Sequence, residues 1–373
     1  MRFSLYSLVR LIAFTTLAAS ALAVGVSRVS PHRDVQRTPA QPRYIGVNGV
    51  TFSPPNSHDY LIDTESGRLR RADFAKEFTI DFATSAPWRE PGGRTQVVGR
   101  LTSRSGTARD RLCEGSGLGV VDLASGDLID ELETGPVVSS RPCRLPGGGQ
   151  RIIYSAGDGH LHLSEFNERR STRTARKVVW ECEKPTKGPL LLSDPILPTQ
   201  REFDGRLFVT LHRTQTIGNH FRYLSAEIWS LRLDKEFTAI LEAHRVTEPV
   251  SAAPTEDERL PNLTVSTDGR PTLAYLKKSR SSPSWRLIVC PLHTDSSKIF
   301  RASRTEEVEI VSDHAATLPA FSPDGRWIFT VARCSEPADS LSRASLKDIL
   351  DGNRVAMVRR PGDGIEDGAA AVR

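Results

Sequence analysis

Apolar positions in this chain fall in short runs, and glycine, proline or aspartate marks the boundary of nearly every one. Runs such as Gln150-Arg151-Ile152-Ile153-Tyr154 and Leu207-Phe208-Val209 are rich in β-branched and aromatic side chains, which suit a pleated, half-buried surface. Past the first thirty residues no stretch keeps an apolar period of 3.6 residues, the signature of an amphipathic helix. The pattern predicts strands joined by tight turns along almost the whole chain, and an all-β class.

The runs repeat. Five segments share a proline, a short apolar stretch, a glycine-centred turn, Arg or Gln, and then a β-rich run. They are Pro87…Gly93-Arg94, Pro142…Gly149-Gln150, Pro195…Gly205-Arg206, Pro261…Gly269-Arg270 and Pro319…Gly325-Arg326. Their turn glycines recur at intervals of 56, 56, 64 and 56 residues, a regularity that points to one duplicated unit. Asp204-Gly205, Asp268-Gly269 and Asp324-Gly325 supply the positive φ that a hairpin turn demands. A proline ahead of each first strand fits a strand start, where no ladder donor is missed.

A second hairpin follows within the unit. Leu118-Gly119-Val120-Val121-Asp122 and the turn at Ser125-Gly126 match Tyr60-Leu61-Ile62-Asp63 and Ser66-Gly67 upstream, with weaker counterparts at Glu227–Leu231 and Trp285–Val289. Two hairpins per unit make four antiparallel strands, the blade of a β-propeller. The length left after the N-terminal segment holds about six units of this size. Six blades are favoured over five because Arg354-Val355-Ala356-Met357-Val358 offers the last unit a third strand of its own.

The first residues read as an address. Arg2 and Arg10 flank the start of an apolar run, too short to span a bilayer, that ends in Ala21-Leu22-Ala23, a small-x-small cleavage pattern. The expected organisation is a signal peptide over 1–23, a linker over 24–43, the propeller over 44–360 and a disordered tail over 361–373. An uncleaved anchor is the alternative for the first segment. Cleavage would leave no stable membrane span and an exported protein, periplasmic, extracellular or on the cell surface.

Composition changes this picture little. Net charge is +5, falling to +3 without Arg2 and Arg10, and bases are scattered among acids, so no nucleic-acid partner is expected. The one dense cluster, Arg169, Arg170, Arg173, Arg176 and Lys177, reads as a solvated loop between strands. Cys113, Cys143, Cys182, Cys290 and Cys334 contain no CxxC pair, and Cys290 lies inside an apolar run as a small buried hydrophobe.

Phe321-Ser322-Pro323-Asp324-Gly325-Arg326 resembles the signature of TolB-type, WD-like propeller repeats, and Asp122-Leu123-Ala124-Ser125-Gly126 resembles the strand-turn-strand of such blades. The resemblance covers residues 50 to 360, with the best match at 319–329. It implies a fold and a binding role, and it carries over no functional residue.

Motifs that carry chemistry are missing. There is no G-x-S-x-G elbow, no P-loop, no G-x-G-x-x-G opening a helix and no H-E-x-x-H. His160-Leu161-His162 with Asp158 has the residue types of a metal site, but surface histidines flanking a hairpin are the expected reading. Trp229 and Trp327 are expected to pack between blades, while Asn262-Leu263-Thr264 is a glycosylation sequon. No catalytic, cofactor or metal residue is named and no cofactor is expected. The expected function is a non-enzymatic, monomeric binding protein for a protein or glycan ligand. The alternative is a propeller enzyme, a lyase or hydrolase, with its site at the central channel. Buried carboxylate or histidine clusters at the channel mouth would favour the enzyme.

Overall fold

In the computed structural model, backbone is described for strands from Tyr44 to Arg359 and for Ile12–Ala13. Side chains are described chiefly within 142–165, 176–180, 191–214, 224–247, 256–279, 285–310, 321–328 and 345–351, with Val98, Leu101 and residues 117–120 before them. Most of 1–43, the tail 361–373, Cys113, Cys182, Cys334 and the turns at Gly93 and Gly149 lie outside the described residues.

The described strands form six sheets in chain order. Sheet one holds Tyr44–Phe52, Pro55–Asp63 and Leu69–Arg71, with Ile12–Ala13 beside the first of these. Sheet two is built on Thr95–Ser103, Ser116–Asp122 and Leu128–Leu132, with Phe78–Asp81 and Trp88–Arg89 sharing the edge of the first. Sheet three runs Cys143–Arg144, Gln150–Ser155, Leu161–Phe166, Thr172–Lys177. Sheet four runs Leu190–Ile196, Leu207–Ile217, His220–Leu233, Ala239–Arg245. Sheet five runs Glu256–Val265, Pro271–Ser279, Arg286–Thr294, and the last of these pairs with Phe300–Ala302 at one end and Val308–Ile310 at the other. Sheet six runs Ala320–Phe321, Trp327–Ala332, Ser340–Ser345, Val358–Arg359. Its third strand is therefore Ser340–Ser345. Of the run 354–358 predicted for that place, Val358 starts a fourth strand, and 354–357 lie outside the described residues.

The central strands of sheets three, four and five are apolar on both faces because these sheets are covered on both sides. In sheet five, Leu273 and Tyr275 pack toward sheet four, while Ala274 and Leu276, one residue out of phase, pack toward sheet six. Sheet four divides likewise, with Leu207, Val209 and Leu211 against sheet three and Phe208 against sheet five. In sheet three, Ile153 faces sheet four, whereas Ile152 and Tyr154 face Val98, Leu118 and Val120 of sheet two. Sheets two to six thus stack face to face in sequence order. Trp229 belongs to the core between sheets three and four, and Cys290 is fully buried between four and five.

A backbone staple recurs where the chain leaves one sheet for the next. After sheet three, Val179–Trp180 pairs in parallel with Ala239–Ile240 at the outer edge of sheet four, and the Val179 amide donates to the Thr238 carbonyl at 2.8 Å. After sheet four, Thr247 bridges in parallel to Ala302 of sheet five, whose amide donates to the Val246 carbonyl at 2.9 Å. The outgoing segment thus ties adjacent outer edges together before the chain crosses to the inner strand, and pairs backbone that would otherwise be an open edge.

Two expectations from the sequence change in detail. Gly205, Gly269 and Gly325 do take positive φ, at 66, 83 and 66°. At the first of them the connection is no two-residue hairpin. A 3-10 turn, Arg201–Phe203, comes first, and Asp204 joins Gly205 in the left-handed region at φ 53°. Pro195 and Pro261 do not start their strands either. Each sits at a register shift inside the first strand, after a residue at positive φ, Asp194 at 53° and Leu260 at 59°. A bulge frees the proline from donating to the ladder, so it is tolerated there.

Candidate functional site

The bulge at Pro195 sets the geometry of a polar cluster where the first strands of sheets four and five approach each other. Ser193 pairs with Thr210 and Leu191 with His212, so Ser193 and His212 lie diagonally on one face of the sheet. Ser193 Oγ is 2.7 Å from His212 Nε2 and donates to Asp194 Oδ2, also at 2.7 Å. Both Ser193 and His212 keep some exposure, while Asp194 is buried. Sheet five closes over this point. The Leu260 amide donates to Thr210 Oγ1 at 3.1 Å, and Asp257 Oδ1 accepts the amide of Ala226, the residue paired with His212, at 3.1 Å. Burial and the Arg259 cation push the His212 imidazole down to about 4, against the pull of Asp194 and Asp257, so the ring is neutral at pH 7.

Behind this cluster the interface carries an ion network. Glu227, buried in sheet four, takes a bidentate pair from Arg213 at 2.8 and 3.0 Å and the Trp229 indole N–H at 3.0 Å. Burial alone would raise its carboxyl, but Arg213, Arg245 and Trp229 together hold it below the ordinary range. Arg245 spans the interface, 3.4 Å from Glu227 and 3.6 Å from Glu258. Glu258, on the first strand of sheet five, also accepts from Thr247, yet desolvation wins and its carboxyl is raised. Arg304 and Lys277 extend the network to Glu256, 2.7 and 3.2 Å away, and Lys277 also meets Glu307, which accepts from Tyr275 at 2.6 Å. Each carboxylate here meets cations, joined for Glu227 by an indole N–H and for Glu258 and Glu307 by a hydroxyl, the arrangement of a structural network.

The residues singled out in the sequence lie elsewhere. His162 Nε2 stands 3.1 Å from both oxygens of Asp158, and the His160 amide donates to the same carboxylate at 3.0 Å, so the group caps an exposed turn. Among the described residues no set of three His, Cys, Asp or Glu is placed to hold a metal. The basic cluster is only partly a loop: Thr172–Lys177 is the outer strand of sheet three, and Arg176 pairs across to Glu165 at 3.0 Å, while Arg169 and Arg170 lie outside the described residues. Trp285 has Arg259 and Lys278 over its ring at 5.2 and 5.7 Å. Ser193 and His212 escaped sequence reasoning because a pair 19 residues apart on adjacent strands leaves no linear motif.

No family model matches the sequence, and no curated protein matches it. Solved structures do. TolB from Acinetobacter baumannii matches at 15% identity and TM-score 0.42, over 79% of this chain and 58% of that one. The β-propeller domain of Myceliophteria thermophila Cps50 matches at 11% identity and TM-score 0.43, over 86% and 84%. An α-L-arabinanase from Cellvibrio cellulosa, solved with arabinohexaose, matches at 10% identity and TM-score 0.42, over 71% and 93%. The chain thus spans little more than half the length of the TolB structure. Likenesses this distant leave function to be read from the chain's own residues.

Proposed function

We propose that the six sheets are blades of a β-propeller and that the protein binds a protein or glycan ligand where the inner strands of sheets four and five meet, after export directed by residues 1–23. One observation carries the site. Ser193, Asp194, His212, Asp257 and Arg259 gather donors, acceptors and charge at the first strands of two adjoining sheets, with Ser193 and His212 partly open to solvent. Polar groups converging on a partly exposed edge are what a recognition site requires. The propeller reading is supported by the recurring turn glycines and by sheets that bury both faces in chain order.

The test is capture from an envelope fraction with the full chain as bait, beside Arg259→Glu and Ser193→Ala baits. A ligand held at this edge is recovered by the unaltered chain and lost with Arg259→Glu. Equal recovery by all three baits would move the site elsewhere. A second reading, a hydrolase, is favoured by the direct contact of Ser193 with a neutral imidazole.

A further inference from the structure

Serine hydroxyls on strands commonly turn to a backbone carbonyl or to water, yet Ser193 Oγ stands between a carboxylate and an imidazole nitrogen, 2.7 Å from each. A hydroxyl with two such acceptors moves its proton from Asp194 to His212 by rotating about one bond, with no change in heavy-atom position. The contact distance is that of a nucleophile and its base. Asp194 is held at positive φ at the bulge, so its carboxylate meets the hydroxyl of the neighbouring residue. The same backbone kink at Leu260 in sheet five has no carboxylate, which separates the repeated structural device from the chemistry placed on it.

We infer that Ser193 is the nucleophile, and His212 the proton acceptor, of a carboxylic-ester hydrolase site at the inner edge of sheet four. This rests on the hydrolase reading. In the first step Ser193 Oγ forms a bond to the ester carbonyl carbon, its proton passes to His212 Nε2, and the carbonyl electron pair moves onto oxygen. Collapse breaks the bond to the alcohol oxygen, which leaves with the proton from His212. Water then attacks the acyl-serine, His212 takes the water's proton, and the acid departs as Ser193 Oγ regains a proton.

Each neighbour has a place in this sequence. Asp194 is a positioning residue that holds the hydroxyl. The negative charges of Asp194 and Asp257 favour the imidazolium that forms in each step, against the Arg259 cation. A weakly basic imidazole activates the hydroxyl modestly, so an ester is the fitting substrate and an amide, with its poorer leaving group, is not.

The experiment exposes the folded full-length chain to a biotinylated fluorophosphonate and, separately, to p-nitrophenyl butyrate. A phosphonyl adduct mapped to Ser193 is expected. Ser193→Ala and His212→Gln should each lower butyrate turnover by about 100-fold or more. In the unaltered protein the rising limb of kcat/KM with pH should lie near 4, where His212 loses its proton. An adduct absent from Ser193 in folded protein, or turnover that survives Ser193→Ala, overturns the assignment. Should Ser193→Ala unfold, adduct mapping and the pH profile of the unaltered chain still decide. Partner capture by the baits above is a separate measurement, so binding can stand where ester chemistry fails.

Discussion

The interface between sheets four and five has two unlike ends. At the Asp-Gly turn end, Phe203, Phe208 and Phe300 meet with ring centroids 5.5 to 5.8 Å apart, closed in by Ile196, Ile228, Leu263 and Leu273. Roughly 17 Å further along the same strands by strand rise, the groups are ionic: Arg245 reaches across the interface to Glu258 of sheet five from Glu227, which with Arg213 lies on the sheet-three face of sheet four. The aromatic end gains stability from buried area, with little demand on any single contact. The ionic end recovers little more than its desolvation cost, but each of its groups depends on the rest. One end therefore supplies adhesion. The other fixes which strand lies opposite which, and holds the first strand of sheet five beside His212.

The contrast can be broken by mutation. Phe208→Ala removes a ring that touches both other aromatics, and should cost about 3–5 kcal/mol in urea unfolding. A loss below about 1 kcal/mol would mean the aromatic end does not carry the interface. Glu227→Ala should cost about 3 kcal/mol for a different reason: Arg213 and the Trp229 indole are left without their acceptor. Adding Arg213→Met should then recover part of the loss, since the stranded guanidinium goes with it. Simple additivity of the two changes would contradict a network whose members need one another.

Two glycines sharpen the point on a smaller scale. Gly205 and Gly325 have the same φ of 66°, but a Cβ on Gly205 meets open space, whereas one on Gly325 would stand 2.2 Å from the carbonyl oxygen of Val265. Gly205→Ala should cost about 1 kcal/mol, from backbone strain alone. Gly325→Ala should cost at least twice that in the same unfolding assay, because the turn of sheet six rests on the first strand of sheet five. Equal losses would mean that this close approach does not constrain the turn.

These turns also show what the residues reveal unaided. The Asp-Gly pairs, the interval of 56 and the β-rich runs were legible because turn chemistry and strand composition are local. Pro195 and Pro261 look like strand starts for the same reason, since a proline's rule is local and a bulge depends on the partner strand. The strand Ser340–Ser345, Ser-Leu-Ser-Arg-Ala-Ser, has almost no apolar content to mark it, and its pairing with Trp327–Ala332 alone makes it a strand. Ser193 and His212 belong to that non-local class. So do Arg245 and Glu258, which come from different sheets.

The smallest expected effect lies in pH. Glu227 and Glu258 are almost fully buried in one network, yet their carboxyls move in opposite directions, Glu227 below the ordinary value and Glu258 above it. For Glu227, the unfolded chain binds its proton at higher pH than the folded one, so its stabilising share is present above the unfolded pKa and lost as pH falls through the folded one. For Glu258 the sign reverses. The folded protein holds the proton longer, so its share is present below the unfolded pKa and lost as pH rises through the folded one. Glu258 is faced by Thr247 and Arg245 from sheet four and its crossing, and by Lys277 and Arg304 from sheet five, and those cations limit the rise without cancelling it. Melting temperature measured from pH 3 to 8 should therefore show a shallower acid-side decline in Glu227→Gln and a shallower decline above about pH 4.5 in Glu258→Gln. If both substitutions flatten the same limb, the two carboxylates titrate alike, and the division between a donor-saturated Glu227 and a desolvated Glu258 is wrong.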